Sequence, residues 1–118
     1  MENLAPEITR QRLLIEGFYC IDVDRTAIDH YFDGLTRRLN LRTYATSTIF
    51  SPGGEGRAEN QGYDAFIPLI DSGISLYTWT AQQFVSIIVF TCKSFDTGEA
   101  LDFTEQFFEL LRSAHQAF

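Results

Sequence analysis

The chain has 118 residues, is 45% hydrophobic and 14% aromatic, and carries a net charge of −7. This length fits a single domain over residues 1–118, and the apolar content excludes a disordered chain because enough side chains are present to form a core. The acidic balance disfavours a nucleic-acid-binding protein, which needs clustered Lys and Arg. It favours small cationic ligands, although an acidic surface also simply aids solubility.

The two cysteines, Cys20 and Cys92, form neither a disulfide framework nor a metal-ligand spacing. Free thiols of this kind indicate a reducing, cytoplasmic environment. The first seven residues lack the basic start and apolar run of a signal peptide. No apolar stretch reaches the ~20 residues needed to cross a bilayer. The sequence therefore predicts a cytoplasmic protein with no metal site and no membrane or nucleic-acid partner.

The first third of the chain predicts one strand and one helix. Residues 1–15 carry mixed charge and are expected to form a loose lead-in, followed by a strand over 18–24. Asp24 can cap a helix over 25–39, and Asn40 is a plausible stop. Apolar residues at helical spacing give this helix one buried face, which consists of Ile28, Tyr31, Phe32, Leu35 and Leu39.

The middle of the chain predicts two strands separated by a long loop. Residues 42–51 are rich in Thr, Tyr and Ile and predict a strand, which the Pro- and Gly-rich segment 52–56 ends. A third strand is predicted over 63–70. Because Pro68 cannot donate a hydrogen bond to a neighbouring strand, we expect this strand to lie at an edge or to be bulged there.

Two further strands are predicted over 74–80 and 84–92, joined by a turn at 81–83. The last strand is apolar on both faces and is therefore expected to be covered on both sides. One face carries Val85, Ile87 and Val89, and the other carries Ile88 and Phe90.

A final helix is predicted from Asp96 to about His115, because Asp96 and Glu99 have the spacing of a capping box. Both histidines are expected at solvated helix positions, away from any metal-ligand spacing; they are His30 and His115. The expected buried stripe of the final helix consists of Phe107, Phe108, Leu111 and Ala114.

This order of elements, β-α-β-β-β-β-α, predicts an α+β fold with a mainly antiparallel sheet. Both helices can cover one face of the sheet, which gives a two-layer α/β sandwich. The other face then needs a partner, and a second copy of the sheet would supply it. We therefore expect a homodimer in which two sheets face one another.

The most informative pattern runs from the third strand to the fifth. Residues 71–73 read Asp-Ser-Gly, residues 76–79 read Leu-Tyr-Thr-Trp and residues 89–92 read Val-Phe-Thr-Cys. This pattern resembles the core of the small bacterial S-adenosylmethionine decarboxylases, which usually read Glu-Ser-His, Ile-His-Thr-Trp-Pro-Glu and Val-Phe-Thr-Cys. The serine-to-cysteine spacing matches without a gap. The resemblance implies a two-layer α/β sandwich that pairs into a four-layer dimer.

The resemblance also implies a chemistry centred on Ser72. In that family the serine attacks the preceding carbonyl, the chain is cut before it, and a pyruvoyl group remains. A pyruvoyl ketone forms a Schiff base with an amino-acid substrate and accepts the electrons left by loss of carbon dioxide. The resemblance assigns Cys92 as the acid that protonates the product carbon, and Phe50 as a ring that stacks on adenine.

The residues alone also allow plainer roles. A serine in Asp-Ser-Gly is a typical turn residue, a cysteine at the end of a strand is a small buried side chain, and Phe50 can pack in a core. If the site is retained, we expect it where residues 71–73 meet Cys92, with Phe50 and Trp79 near its mouth. The carboxylates of Asp64 and Asp71 would line it and favour a cation.

Several departures from the family pattern lie around this centre. Asp71 replaces the family's Glu, and Gly73 replaces its His. Tyr77 replaces the processing histidine, Asp64 aligns with the processing serine, and Ala81 removes a carboxylate near the ligand. A tyrosine is a poor base near neutral pH because its reference pKa is about 10. A carboxylate such as that of Asp64 could still act as a base, so self-cleavage is weakened rather than excluded.

Three functions are open on these grounds. The preferred one is a divergent decarboxylase homologue that is impaired in self-processing and acts as a small-molecule-binding or regulatory protein. The second is an active pyruvoyl-dependent decarboxylase of S-adenosylmethionine or another amino acid in polyamine synthesis. The third is a structural dimer with a vestigial pocket. No cofactor is expected if the chain is uncut, whereas cleavage would leave a pyruvoyl group derived from Ser72.

Overall fold

A computed structural model describes residues 1–51 and 57–118. In this part of the chain, six strands form one sheet in the order β2-β3-β4-β5-β1-β6, and every neighbouring pair is antiparallel. The strands are β1 (Gln11–Phe18), β2 (Thr48–Phe50), β3 (Asp64–Leu69), β4 (Ser72–Trp79), β5 (Phe84–Thr91) and β6 (Arg112–Ala117). The helices are α1 (Arg25–Arg38) and α2 (Thr97–Phe108). This is the predicted α+β architecture.

One face of the sheet packs against both helices and forms the core. Alternate residues of β1, β3, β4 and β5 point to this face, as the period of two of a strand requires. In β5, Val85, Ile87 and Val89 are fully buried. They lie in one cluster with the buried faces of the two helices, so α1 and α2 cover the same side of the sheet.

The first helix has the predicted cap and buried face. Asp24 accepts a hydrogen bond of 2.8 Å from the Ala27 N–H, which satisfies one of the free donors of the first turn. The helix ends at Arg38, and Asn40 adopts a left-handed conformation with φ of 55°. All the residues of its predicted apolar face are buried: Ile28, Tyr31, Phe32, Leu35 and Leu39.

The second helix begins as predicted and approaches the first closely. The Glu99 N–H donates a hydrogen bond of 3.0 Å to the Asp96 carboxylate. A Cβ atom added at Gly34 of α1 would lie 2.4 Å from the ring of Phe103, so any larger residue would force this ring to move. A buried hydrogen bond of 2.8 Å also joins the hydroxyls of Tyr31 and Thr104.

The end predicted for this helix is wrong. It stops at Phe108, where Glu109 adopts a left-handed conformation with φ of 49°, and β6 follows. Leu111 and Ala114, predicted to be buried, are exposed, and His115 lies on a strand instead of a helix. The helix buries Ala100, Thr104 and Phe108.

The first strand was also predicted wrongly. It spans Gln11–Phe18, in place of 18–24, so much of the expected lead-in is a central strand. Leu13 and Ile15 are buried between the helices and the sheet, while the intervening residues are only partly covered. Residues 19–24 instead connect β1 to the cap of α1.

The strands near β2 are shorter than predicted. β2 covers only Thr48–Phe50, and an isolated bridge joins Thr43 to Leu69. β2 pairs with β3 over Asp64–Phe66 and ends before Pro68. On the outer side of β3 at Pro68 there is only the segment of the isolated bridge, where the Tyr44 N–H donates a hydrogen bond of 2.9 Å to the Pro68 carbonyl oxygen. Pro68 therefore lies locally at an edge, where its missing N–H leaves no partner unpaired. The predicted break at 52–56 lies outside the described residues.

The second face of the sheet, here called the open face, carries no helix. It exposes large aromatic side chains on five strands: Phe18 43%, Phe50 62%, Phe66 44%, Tyr77 37% and Phe90 36%. Ile88 and Phe90 are thus less buried than the residues on the other face of β5. Within the described ranges, no helix is long and apolar enough to cross a membrane.

Candidate functional site

The structure brings Ser72 and Cys92 into direct contact. Ser72 is the first residue of β4, and Cys92 follows the last residue of β5. The backbone N–H of Cys92 donates a hydrogen bond of 2.9 Å to Ser72 Oγ, and the Cys92 thiol donates one of 2.9 Å to the Asp71 carbonyl oxygen. Cys92 therefore forms hydrogen bonds to both residues of the Asp71–Ser72 peptide bond.

A tight turn places this peptide bond at the edge of the sheet. Ile70 and Asp71 link β3 to β4, with Leu69 opposite Ser72. Asp71 has φ of 54°, a left-handed conformation that Asp adopts more readily than most residues. The hairpin geometry thus explains why an Asp-Ser-Gly turn occurs at this position and why the Asp71 side chain is exposed.

This arrangement places a hydroxyl oxygen beside a polarised carbonyl. The Cys92 thiol donates to the Asp71 carbonyl oxygen, which draws electron density from the carbonyl carbon. Ser72 Oγ accepts its bond from a backbone N–H, so its own proton is free to be donated. Among residues 1–51 and 57–118, no basic side chain forms a hydrogen bond with Ser72 Oγ. The geometry suits acyl transfer, but the proton acceptor is missing from these contacts.

Two clefts flank Ser72. The first, here called the hairpin cleft, has a volume of about 290 Å³ and is lined by Arg42, Ile70, Asp71, Ser72, Cys92 and Lys93 among others. The second, here called the sheet cleft, opens on the open face and has a volume of about 380 Å³. Its lining includes Phe66, Asp71, Ser72, Gly73, Ser75 and Phe90. Asp71 and Ser72 therefore lie at the boundary between a cleft with two cations and a cleft with two aromatic rings.

Phe66 covers Gly73 in the sheet cleft. A Cβ atom added at Gly73 would lie 2.5 Å from two ring atoms of Phe66. The ring therefore occupies space that a side chain at position 73 would need. Phe66 was not predicted as a site residue, although the alternation of β3 places it on the face opposite the buried Ala65 and Ile67.

Three other predicted site residues form a separate group on the open face. Asp64 lies opposite Phe50 on β2 and opposite Tyr77 on β4. Together they line a cleft of about 140 Å³. Tyr77 is five residues along β4 from Ser72, or about 17 Å at the usual rise of a strand. One chain alone does not bring this group to Ser72.

Trp79 also lies apart from Ser72. It ends β4, seven residues from Ser72, at a distance of about 23 Å along the strand. Its ring packs against Phe84, with ring centroids 5.6 Å apart. Within one chain Trp79 is therefore not at the mouth of either cleft beside Ser72.

Comparisons with known proteins agree on the nature of the fold. Residues 11–118 match a sequence model of the protein family described as S-adenosylmethionine decarboxylase. No curated protein matches the chain. The crystal structure of the adenosylmethionine decarboxylase from Aquifex aeolicus VF5 is similar, with a TM-score of 0.71 and 20% sequence identity. The match covers 94% of this chain and 89% of that chain, and at this identity it concerns the fold alone.

Proposed function

The chain belongs to the S-adenosylmethionine decarboxylase family, and we propose that it is a divergent member that keeps its Asp71–Ser72 peptide bond and binds a small amino-acid-derived ligand. The contact of Cys92 with both sides of that bond supports a retained site. The observation that carries the uncut bond is Tyr77 at the position of the processing histidine. The serine, the carbonyl and the cysteine are arranged as a preserved site. The differences from the family pattern lie instead at the positions of its processing groups, where Tyr77 replaces a histidine and Asp64 replaces a serine.

The family's reaction depends on a pyruvoyl group, which supplies an electron sink for the carbanion left by loss of carbon dioxide. The residues present fit its formation only in part. Ser72 Oγ and the polarised Asp71 carbonyl are suitably placed. The position of the processing histidine is held by Tyr77, and tyrosine is a weak base near neutral pH. The fit thus favours an uncut chain that retains a binding cleft.

We include a homodimer in this proposal because the open face exposes several large aromatic side chains. Soluble monomers rarely expose large continuous apolar patches. A second copy laid on the open face would cover Phe66, Tyr77 and Phe90, which are 44%, 37% and 36% exposed. In such a pair, the group of Phe50, Asp64 and Tyr77 in one copy can approach Ser72 of the other. The dimer would thereby unite site residues that one chain separates.

The sheet cleft indicates the class of ligand. Its two phenylalanine rings and the Asp71 carboxyl group offer an apolar surface beside a negative charge. A cation carried on an apolar or flat molecule complements both features, through Coulomb attraction and a cation–π contact of about 0.5–2 kcal/mol. A sulfonium or an amine meets this requirement.

Thermal denaturation with added ligand tests the proposal. The ligands are S-adenosylmethionine, its decarboxylated form, ornithine, arginine and putrescine, each at up to millimolar concentration. A ligand that binds only the folded chain raises the melting temperature, because it stabilises that state by RT ln(1 + [L]/Kd). We expect at least one of them to do so without release of carbon dioxide. No shift with any of them would contradict the proposal and favour a vestigial pocket.

An active pyruvoyl-dependent decarboxylase is the second candidate. The thiol of Cys92 on the Asp71 carbonyl favours it, since that contact would assist attack by Ser72. Asp64 could replace the missing base if a second copy brought it to Ser72. Release of labelled carbon dioxide from carboxyl-labelled S-adenosylmethionine would support this candidate and contradict the first.

A further inference from the structure

We propose that Arg42 and Lys93 form a carboxylate-binding end of the site at Ser72, so that the ligand is an α-amino acid held by its carboxylate in the hairpin cleft. This inference rests on the proposed binding function. It adds the chemical class of the ligand and the direction in which it lies.

The distribution of positive charge points to this cleft. The chain has nine Lys and Arg residues against sixteen Asp and Glu residues. Two of the nine line a cleft of about 290 Å³ together with Ser72 and Cys92. Two of the other cations form ion pairs, since Arg37 contacts Asp33 and Arg38 contacts Glu99. In the described ranges, neither Arg42 nor Lys93 forms an ion pair.

The fold holds Lys93 in place while leaving donors free. Lys93 directly follows Cys92, and its Nζ donates a hydrogen bond of 2.9 Å to the Asn40 carbonyl oxygen. Asn40 lies just beyond α1 in a left-handed conformation, and the N–H of the next residue, Leu41, donates a hydrogen bond of 2.8 Å to the Thr36 carbonyl oxygen. An ammonium group has three donors, so two of them remain for a ligand.

Arg42 supplies a second, geometrically different donor group. It follows Leu41, and its side chain makes no hydrogen bond to any residue that the structure describes. A guanidinium has five N–H donors in a planar fork that matches a carboxylate. One carboxylate can therefore accept paired hydrogen bonds from the Arg42 guanidinium and a further one from the Lys93 ammonium group.

The different linings of the two clefts predict which end of the ligand lies in each of them. A carboxylate in the hairpin cleft lies on the cationic side of Ser72. The amino group and any sulfonium then lie towards Asp71 and the aromatic rings of the sheet cleft. Cations on one side of Ser72 and aromatic rings on the other, with Asp71 at the boundary, complement a zwitterionic amino acid with a cationic side chain better than a simple diamine.

A carboxylate held in this way resists decarboxylation. Loss of carbon dioxide discharges the carboxylate, so the contacts with Arg42 and Lys93 stabilise the bound ligand more than the transition state. Interactions that favour the ground state slow the chemical step. This consequence agrees with a role in binding.

Paired ligands that differ only by a carboxylate test the inference. The pairs are S-adenosylmethionine with its decarboxylated form, and ornithine with putrescine, with affinities measured by calorimetry. We expect the carboxylated member of at least one pair to bind about tenfold more tightly or better. Arg42→Gln and Lys93→Gln should each reduce its affinity about tenfold or more and leave the other member unchanged, since a hydrogen bond to a charged group contributes about 1.5–3 kcal/mol.

Arg37→Gln is the matched control, because it also removes one positive charge from an exposed side chain and lies outside both clefts. It should leave every affinity unchanged. Equal binding within both pairs, or unchanged ratios in both cleft variants, would overturn the inference and leave ligand binding intact. Equally tight binding of inorganic phosphate alone would overturn it by showing a general anion site. Failure of all the ligands to bind would overturn both this inference and the proposed function.

Discussion

The backbone N–H of Cys92 lies 2.9 Å from Ser72 Oγ, although the two residues are 20 positions apart in the chain. The register of the β4–β5 hairpin creates this contact, because Gly73 pairs with Phe90 and Ser72 therefore lies beside the end of β5, next to Cys92. A shift of one residue would turn every side chain of β4 to the opposite face. The buried Ile74 and Leu76 therefore fix the position of Ser72.

Replacement of Ser72 by alanine should destabilise the chain by about 1–2 kcal/mol. The substitution leaves the Cys92 N–H without its acceptor at a partly buried position. Chemical denaturation measures the change in free energy of unfolding. Ser75→Ala on the same strand is the control, because Ser75 forms no side-chain hydrogen bond within the described ranges. Equal effects of the two substitutions would refute a specific role for the contact.

The contact between Phe66 and Gly73 should appear as coupling in a double-mutant cycle. With Phe66 present, Gly73→Ala forces the ring to move, because the new Cβ would lie 2.5 Å from it. Overpacking of this kind typically costs about 1–3 kcal/mol. In a Phe66→Ala background the same change should stabilise the strand by about 0.5–1 kcal/mol, since alanine restricts the unfolded chain more than glycine does. Additive effects of the two substitutions would show that the ring yields freely.

The sequence predicted the parts of the fold whose signals are local. Asp24 and Asp96 each accept the capping hydrogen bond that their helices required. The hairpin of β4 and β5 followed from two apolar runs separated by a short turn. β6 was missed because all six of its residues are exposed, so no alternation of burial appears in the sequence. No glycine or proline marks the helix end at Glu109, which is left-handed without either residue.

Of the candidate site, too, only the part formed by local structure could be predicted from the sequence. Ser72 and Cys92 meet through one hairpin, so their spacing in the sequence was sufficient. Arg42, Phe66 and Lys93 reach the clefts through the packing of different elements, which residue patterns do not reveal. The separation of Tyr77 from Ser72 follows from strand length, because five residues of an extended strand span about 17 Å.

Disruption of the open face should convert a dimer into monomers. Phe90 is 36% exposed on this face, and Phe90→Asp would place a charge in an interface between two sheets. Sedimentation equilibrium at micromolar concentration should give twice the chain mass of 13.5 kDa for the unmodified protein and a single chain for the variant. Leu4→Asp, at a residue that is 82% exposed outside the sheet, should remain dimeric. An unmodified protein that sediments as a monomer would contradict the proposed assembly.

Stability should fall above pH 10 because of Tyr31. Burial raises the pKa of the Tyr31 hydroxyl, and the hydrogen bond with Thr104 opposes this shift only partly. The folded state therefore keeps the proton while the unfolded state loses it. The stabilisation is complete below pH 10 and declines as the pH rises, by at most about 1.4 kcal/mol per pH unit. Tyr31→Phe should flatten this decline in denaturation measured from pH 8 to 11, whereas Tyr44→Phe at an exposed residue should not. An unchanged slope in Tyr31→Phe would disprove the assignment.

Intact mass spectrometry of the purified protein tests the central claim most directly. We predict one chain near 13.5 kDa, with the Asp71–Ser72 peptide bond unbroken. The reason is that Tyr77 and Asp64 replace the histidine and the serine that process the chain in the family. Prolonged incubation at neutral pH should leave this mass unchanged. Two fragments divided before residue 72, the second beginning with a pyruvoyl group, would contradict the account and identify the protein as a self-processing decarboxylase.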